Sequence, residues 1–191
     1  MNPLDFLFNL LQMLLWHPGT GVLIGLLVLA AWIDWRSFRI PNWLTASGMA
    51  WGLTYNTVFA DSALSGLAHG LLGLVTGLAL LLPLYAIRVM GAGDVKLMAM
   101  VGAFLGALAT AKAVLLVGLA GGLAVVLFAL SQRAARQLAA NVKDMAESMV
   151  IPGMPIWRPE LAGRSVGKLP YGVSISVGTL AFLVLRQLGY A

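Results

Sequence analysis

The feature that most constrains this chain is the recurrence of long apolar stretches divided by short polar ones. They cover roughly residues 19–35, 43–60, 66–88, 95–110, 112–131 and 169–188, and each approaches the roughly 20 residues that a helix needs to cross a bilayer. With 60% of its 191 residues hydrophobic and only 10% charged, the chain lies far from the balance of a soluble domain. The expected fold is therefore all-α: a polytopic membrane bundle of about six transmembrane helices, forming one membrane-embedded domain over residues 1–191. Six crossings would leave both termini on one side.

Residues 1–17 are apolar but lack a basic leading region and a small-residue cleavage motif, so they do not read as a removable signal peptide. An interfacial helix before His17 and Pro18 fits them, with a crossing as the alternative. Between the last two spans, residues 131–168 form the one long polar connection, read as a cytoplasmic loop. In it Leu138, Val142, Met145 and Met149 follow helical spacing, which predicts an amphipathic piece ending before Pro152. Such a loop could cover a site or simply connect two helices.

The net charge of +5 has no basic stripe with interleaved aromatics, so no nucleic-acid partner is expected. Membrane orientation explains it better. If the first span runs outward to inward, Arg36, Arg39, Arg88, Lys96, Arg133, Arg136, Lys143, Arg158, Arg164 and Lys168 all fall at the inner side, opposed only by Lys112 and Arg186. Glycines in "GLAHGLLGLVTG" and "VGLAGGLAVV" recur at spacings that let helix backbones approach closely, so tight packing is the expectation for most of them.

The absence of cysteine excludes disulfides, thiolate zinc sites and a cysteine nucleophile. His17 and His69 fall at predicted outer ends, as interfacial side chains, away from any serine on the inner face. Of the carboxylates, Asp5, Asp61, Asp144, Glu147 and Glu160 occupy loops or outer ends. Two remain: Asp34 in "AAWIDWRSFRIPN" and Asp94 in "GAGDVKL", both at inner ends of spans. An acid within the membrane costs about 2.5 kcal/mol or more, so function is the first hypothesis for each. Boundary ion pairs, with Arg36 and Arg39 or with Lys96, are the competing explanation. Gly91 and Gly93 break the helix and can present Asp94 on an irregular turn at the membrane boundary.

Two carboxyls within about 5 Å interact by roughly 3 kcal/mol at an effective dielectric near 20, about two pKa units, and so share one proton near neutrality. That is the state of an aspartic protease dyad, which needs no metal or other cofactor. Two isolated aspartates are too few for a magnesium-dependent transferase. A small proton-coupled transporter, or a noncatalytic subunit of a pilus or secretion assembly, would be the alternative for such acids.

At these residues the chain resembles a known family. Asp34 within "DWRSFRIPNWLT", then "GAGDVKLMAMVGAFLG", then "KLPYGVSISVG", in that order and at membrane boundaries, resemble the type IV prepilin peptidases, most closely the short form serving Flp-type (tight-adherence) pilins. The resemblance implies a multi-pass aspartic endopeptidase of the bacterial inner membrane, with its active site at the cytoplasmic face. Such an enzyme removes the basic leader of a prepilin, cutting after a glycine and before a hydrophobic helix. It implies catalytic roles for Asp34 and Asp94, and GxGD glycines at Gly91 and Gly93. Lys96 and Leu97 match the continuation after that motif, and Ile40, Pro41 and Asn42 match the segment after the first aspartate. Pro170, Tyr171 and Gly172 match the last motif, with a site-shaping role. Partners implied are a prepilin, the lipid bilayer and the pilus assembly machinery, in an oligomeric state left open. Larger members carry a cysteine-rich segment and methylate the new N-terminus. With no cysteine and no room for that segment before Asp34, peptidase activity without methyltransferase activity is the expectation.

Overall fold

The computed structural model describes residue 12, residues 18–87 and 89–131, residue 143 and residues 170–190. The reading of residues 1–17 as an interfacial helix and that of the 131–168 loop with its amphipathic piece fall almost wholly outside the described residues, as does Arg88. Among the described residues there are six helices and no strand: α1 (Pro18–Ser37), α2 (Asn42–Phe59), α3 (Ala63–Ala86), α4 (Ala92–Leu105), α5 (Ala107–Ser131) and α6 (Tyr171–Gln187).

Local chemistry explains their limits. Pro18 occupies the first position of α1, where its missing N–H is no loss. The same helix ends in a left-handed residue, Phe38 at φ 51°, whose N–H donates to the Asp34 carbonyl at 2.8 Å. Pro41, extended and unable to continue a helix backwards, caps α2. Ser62 caps α3, its hydroxyl accepting from the Ser65 N–H at 3.1 Å. Gly91 and Gly106 bracket α4.

The core is organised around α4. Val95 and every residue from Leu97 to Leu105 are buried, so this 14-residue helix is enclosed by protein. It is about 21 Å long at 1.5 Å per residue, short of the roughly 30 Å hydrocarbon layer, and it is apolar on all sides because protein surrounds it. A span was expected over 95–110, with the next beginning at 112. Instead Gly106, at φ 78°, turns the chain early and α5 starts at Ala107. A side chain there would collide with the His69 ring, so His69, although exposed, packs against the turn.

Packing between α3 and α4 depends on glycine. Gly66, Gly70, Gly73 and Gly77 form one buried edge of α3, and a Cβ on Gly73 or Gly77 would strike the α4 backbone at Gly102 or Met98. Tight packing is thus the role of the first glycine run. The second run departs from that expectation: Gly118 and Gly122 on α5 face open space, and Gly121 has only Ser174 Cβ at 3.8 Å.

Three helices are long and apolar enough to cross a membrane by length and composition: Pro18–Ser37, Ala63–Ala86 and Ala107–Leu127. Large apolar side chains such as Leu64, Leu72, Val75, Leu115, Leu119 and Leu123 are exposed on the outside, while Ser174, Ser176 and Thr179 are buried. Apolar outside and partly polar inside is the arrangement expected of a chain solvated by lipid. The protein is a membrane protein with a helical-bundle fold.

Candidate active site

Alternating helix directions bring the end of α1, the start of α4 and the start of α6 to the same end of the bundle. Each contributes one part of a site. Asp34, one turn before the end of α1, is 4% exposed; Asp94, in the first turn of α4, is 8% exposed. They are close enough for their charges to interact. Two acids from helices distant in sequence thus come to the same end of the bundle.

Backbone amides hold both carboxylates. The Gly172 N–H, in the first turn of α6, donates to Asp34 Oδ2 at 2.8 Å. A helix N-terminus offers unpaired N–H groups and a partial positive charge, so it suits an anionic oxygen. Asp94 Oδ2 accepts from the Gly91 N–H at 3.1 Å, reaching back over the turn as the acidic half of a capping box does. The GxGD sequence therefore forms a turn whose first glycine orients its own aspartate.

The glycines also make room. A Cβ on Gly172 would lie 2.8 Å from Asp34 Oδ2 and 3.0 Å from Ile40 Cδ1. One on Gly93 would lie 3.3 Å from Ile40 Cβ, and one on Gly91 3.2 Å from Asp94 Oδ2. Ile40, in the connection after α1, thus lies against both the α4 and the α6 starts.

Ion pairing with Arg36, Arg39 or Lys96 does not explain the aspartates. Among the described residues neither forms a salt bridge. Arg36 instead lies over the Trp32 ring at 4.4 Å from its centroid. Lys96 is exposed and donates to Asn42 Oδ1 at 2.9 Å, so it ties the start of α2 to α4. The segment after the first aspartate and the segment after GxGD are thereby joined through Asn42 and Lys96, with Pro41 setting the direction of α2. Pro170 caps α6, and half-buried Tyr171 stands within the electrostatic reach of Asp94. Among the described residues no three His, Asp or Glu side chains gather as metal ligands.

One positioning group escaped the sequence reading. Ser176 Oγ lies 2.9 Å from the Leu27 carbonyl and 2.8 Å from that of Gly172, pinning α6 to α1 directly beneath the Gly172–Asp34 contact. The signal was present in "YGVSISVG", where a serine four residues after a glycine interrupts an apolar face.

The profile of the type IV leader peptidase family matches residues 21–129, more than half of the chain and a stretch that contains both aspartates and the GxGD turn. No curated protein and no solved structure shows a significant match. The chain belongs to the type IV leader peptidase family.

Proposed function

We propose that the protein is an aspartic endopeptidase that cleaves the leader from Flp-type prepilins at the cytoplasmic face of the inner membrane, without methylating the product. The observation that carries this reading is the convergence at one end of the bundle of two buried carboxylates, Asp34 and Asp94, which form no salt bridge among the described residues and are each oriented by a backbone amide. With one proton between them, the ionised carboxylate takes a proton from water as the water oxygen attacks the scissile carbonyl carbon. The protonated partner hydrogen-bonds the developing oxyanion. Collapse breaks the C–N bond, and a carboxyl proton passes to the departing amine.

Sidedness is supported by charge. Arg36, Arg39 and Lys96 lie at the end of the bundle that holds the acids, while Lys112 and Arg186 belong to the half that leads to the opposite end. A substrate with a basic leader and a hydrophobic helix would offer its junction at that depth. Flp-type specificity is supported by the motif resemblance, and the lack of methylation by the cysteine-free sequence.

The test is to incubate the purified protein with a Flp-type prepilin and a methyl-group donor such as S-adenosylmethionine, and to analyse the product by N-terminal sequencing and mass spectrometry. Cleavage after a glycine with an unmethylated new amine is expected. An intact prepilin would overturn the peptidase assignment, and a methylated product the restriction to cleavage.

A further inference from the structure

Beside the GxGD turn runs an apolar groove of about 260 Å³ between α3, α5 and α6. Leu84 forms one wall, Val117, Gly118 and Gly122 the other, and Met90 and Tyr171 close the end nearest Asp94. Among the described residues no charged side chain lines it. We infer that this groove seats the first turns of the substrate's hydrophobic helix, immediately beyond the cleaved bond. The inference rests on the peptidase reading and adds where the substrate's apolar part is held.

Three observations select this occupant over lipid or a second copy. The groove is continuous with the site: Met90 adjoins the GxGD turn, and Tyr171 precedes the glycine whose amide binds Asp34. A chain with its scissile bond between the two acids must leave them somewhere, and this groove offers an apolar exit. Second, Gly118 and Gly122 lie one turn apart on the wall with nothing within 4 Å of an added Cβ. The glycines of α3 are consumed by packing within the protein; these two leave a backbone surface that another helix can approach closely, which a lipid chain does not require. Third, from Val114 to Val125 the groove follows α5 for about 16 Å, roughly three turns and half the hydrocarbon depth, which suits the entering end of a membrane helix.

The experiment compares two substrates: a full-length Flp-type prepilin in detergent, and a peptide of the same protein ending a few residues after the cut. Leucines at both glycines (Gly118→Leu with Gly122→Leu) fill the groove. The preference for full-length substrate, as the ratio of kcat/KM values, is expected to fall by about tenfold, the effect of overfilling a packed contact. An unchanged ratio would overturn the inference. Should the double variant fail to fold, photo-crosslinking on an otherwise wild-type chain decides: a photoreactive residue at Val125, in the groove, is expected to trap the prepilin's hydrophobic segment, and one at Leu123, on the opposite face of α5, is not. No adduct at position 125, or equal adducts at both, would contradict the proposal. Wild-type cleavage of the prepilin throughout separates failure of this inference from failure of the peptidase reading.

Discussion

Gly172 shows how much of the site depends on single atoms. Its N–H binds Asp34, and its missing side chain is what lets the carboxylate approach. Gly172→Ala would push Asp34 aside by a fraction of an ångström to an ångström, and misplacement of that size costs up to about a hundredfold in rate. Gly93→Ala meets only the edge of Ile40 at 3.3 Å and should cost less. Steady-state cleavage assays of the two variants check this order, and a larger loss at Gly93 would contradict it. Phe38 carries a different kind of constraint, a left-handed backbone without glycine's freedom. Phe38→Val, β-branched in that conformation, should be less stable than Phe38→Gly by about 1 kcal/mol, measurable as thermal unfolding midpoints in detergent. The Asp34–Gly172 contact was not legible in the sequence, because nothing local links residues 138 positions apart. The residue types were legible; the atom that joins them was not.

At the scale of helices, two glycine runs that look alike in the sequence have opposite surroundings. Gly73→Ala would drive a methyl into the Gly102 carbonyl and separate α3 from α4, so a loss of about 1–3 kcal/mol is expected. Gly118→Ala meets open space and should be neutral or stabilising by up to about 1 kcal/mol. Chemical unfolding of both variants in micelles tests the contrast, and equal losses would count against the packing described. The Lys96–Asn42 hydrogen bond is also an element-level device, since it fastens α2 to α4. Lys96→Met and Asn42→Ala should therefore be non-additive, with a coupling of about 0.5 kcal/mol in a double-mutant cycle. The order of the six described helices was legible because long apolar runs admit few other structures. The early end of α4 was not, since apolar residues continue through 107–109 and only the φ of Gly106 and the His69 ring decide where the chain turns.

For the whole molecule, the bundle serves to bring three helix ends to one depth while presenting lipid-soluble side chains outward. Both acids could be singled out from the sequence because so few charges occur within its apolar segments, and their shared face followed from counting crossings. Their seclusion from Arg36 and Lys96 required coordinates, because sequence proximity suggested pairing where the side chains turn to Trp32 and Asn42. A pair that works with one proton loses activity on both sides of an optimum: at high pH the shared proton leaves, and at low pH a second one arrives and removes the base. A bell-shaped profile of kcat for prepilin cleavage is therefore expected, and a rate that climbs steadily to high pH would contradict a shared proton. The most direct test is cleavage by Asp34→Asn, Asp94→Asn and the double variant beside the wild type. Each single change should lower kcat by at least about a hundredfold, and the double variant should be scarcely worse than either, because the two carboxyls act as one unit. Processing that survives in either single variant would contradict the dyad.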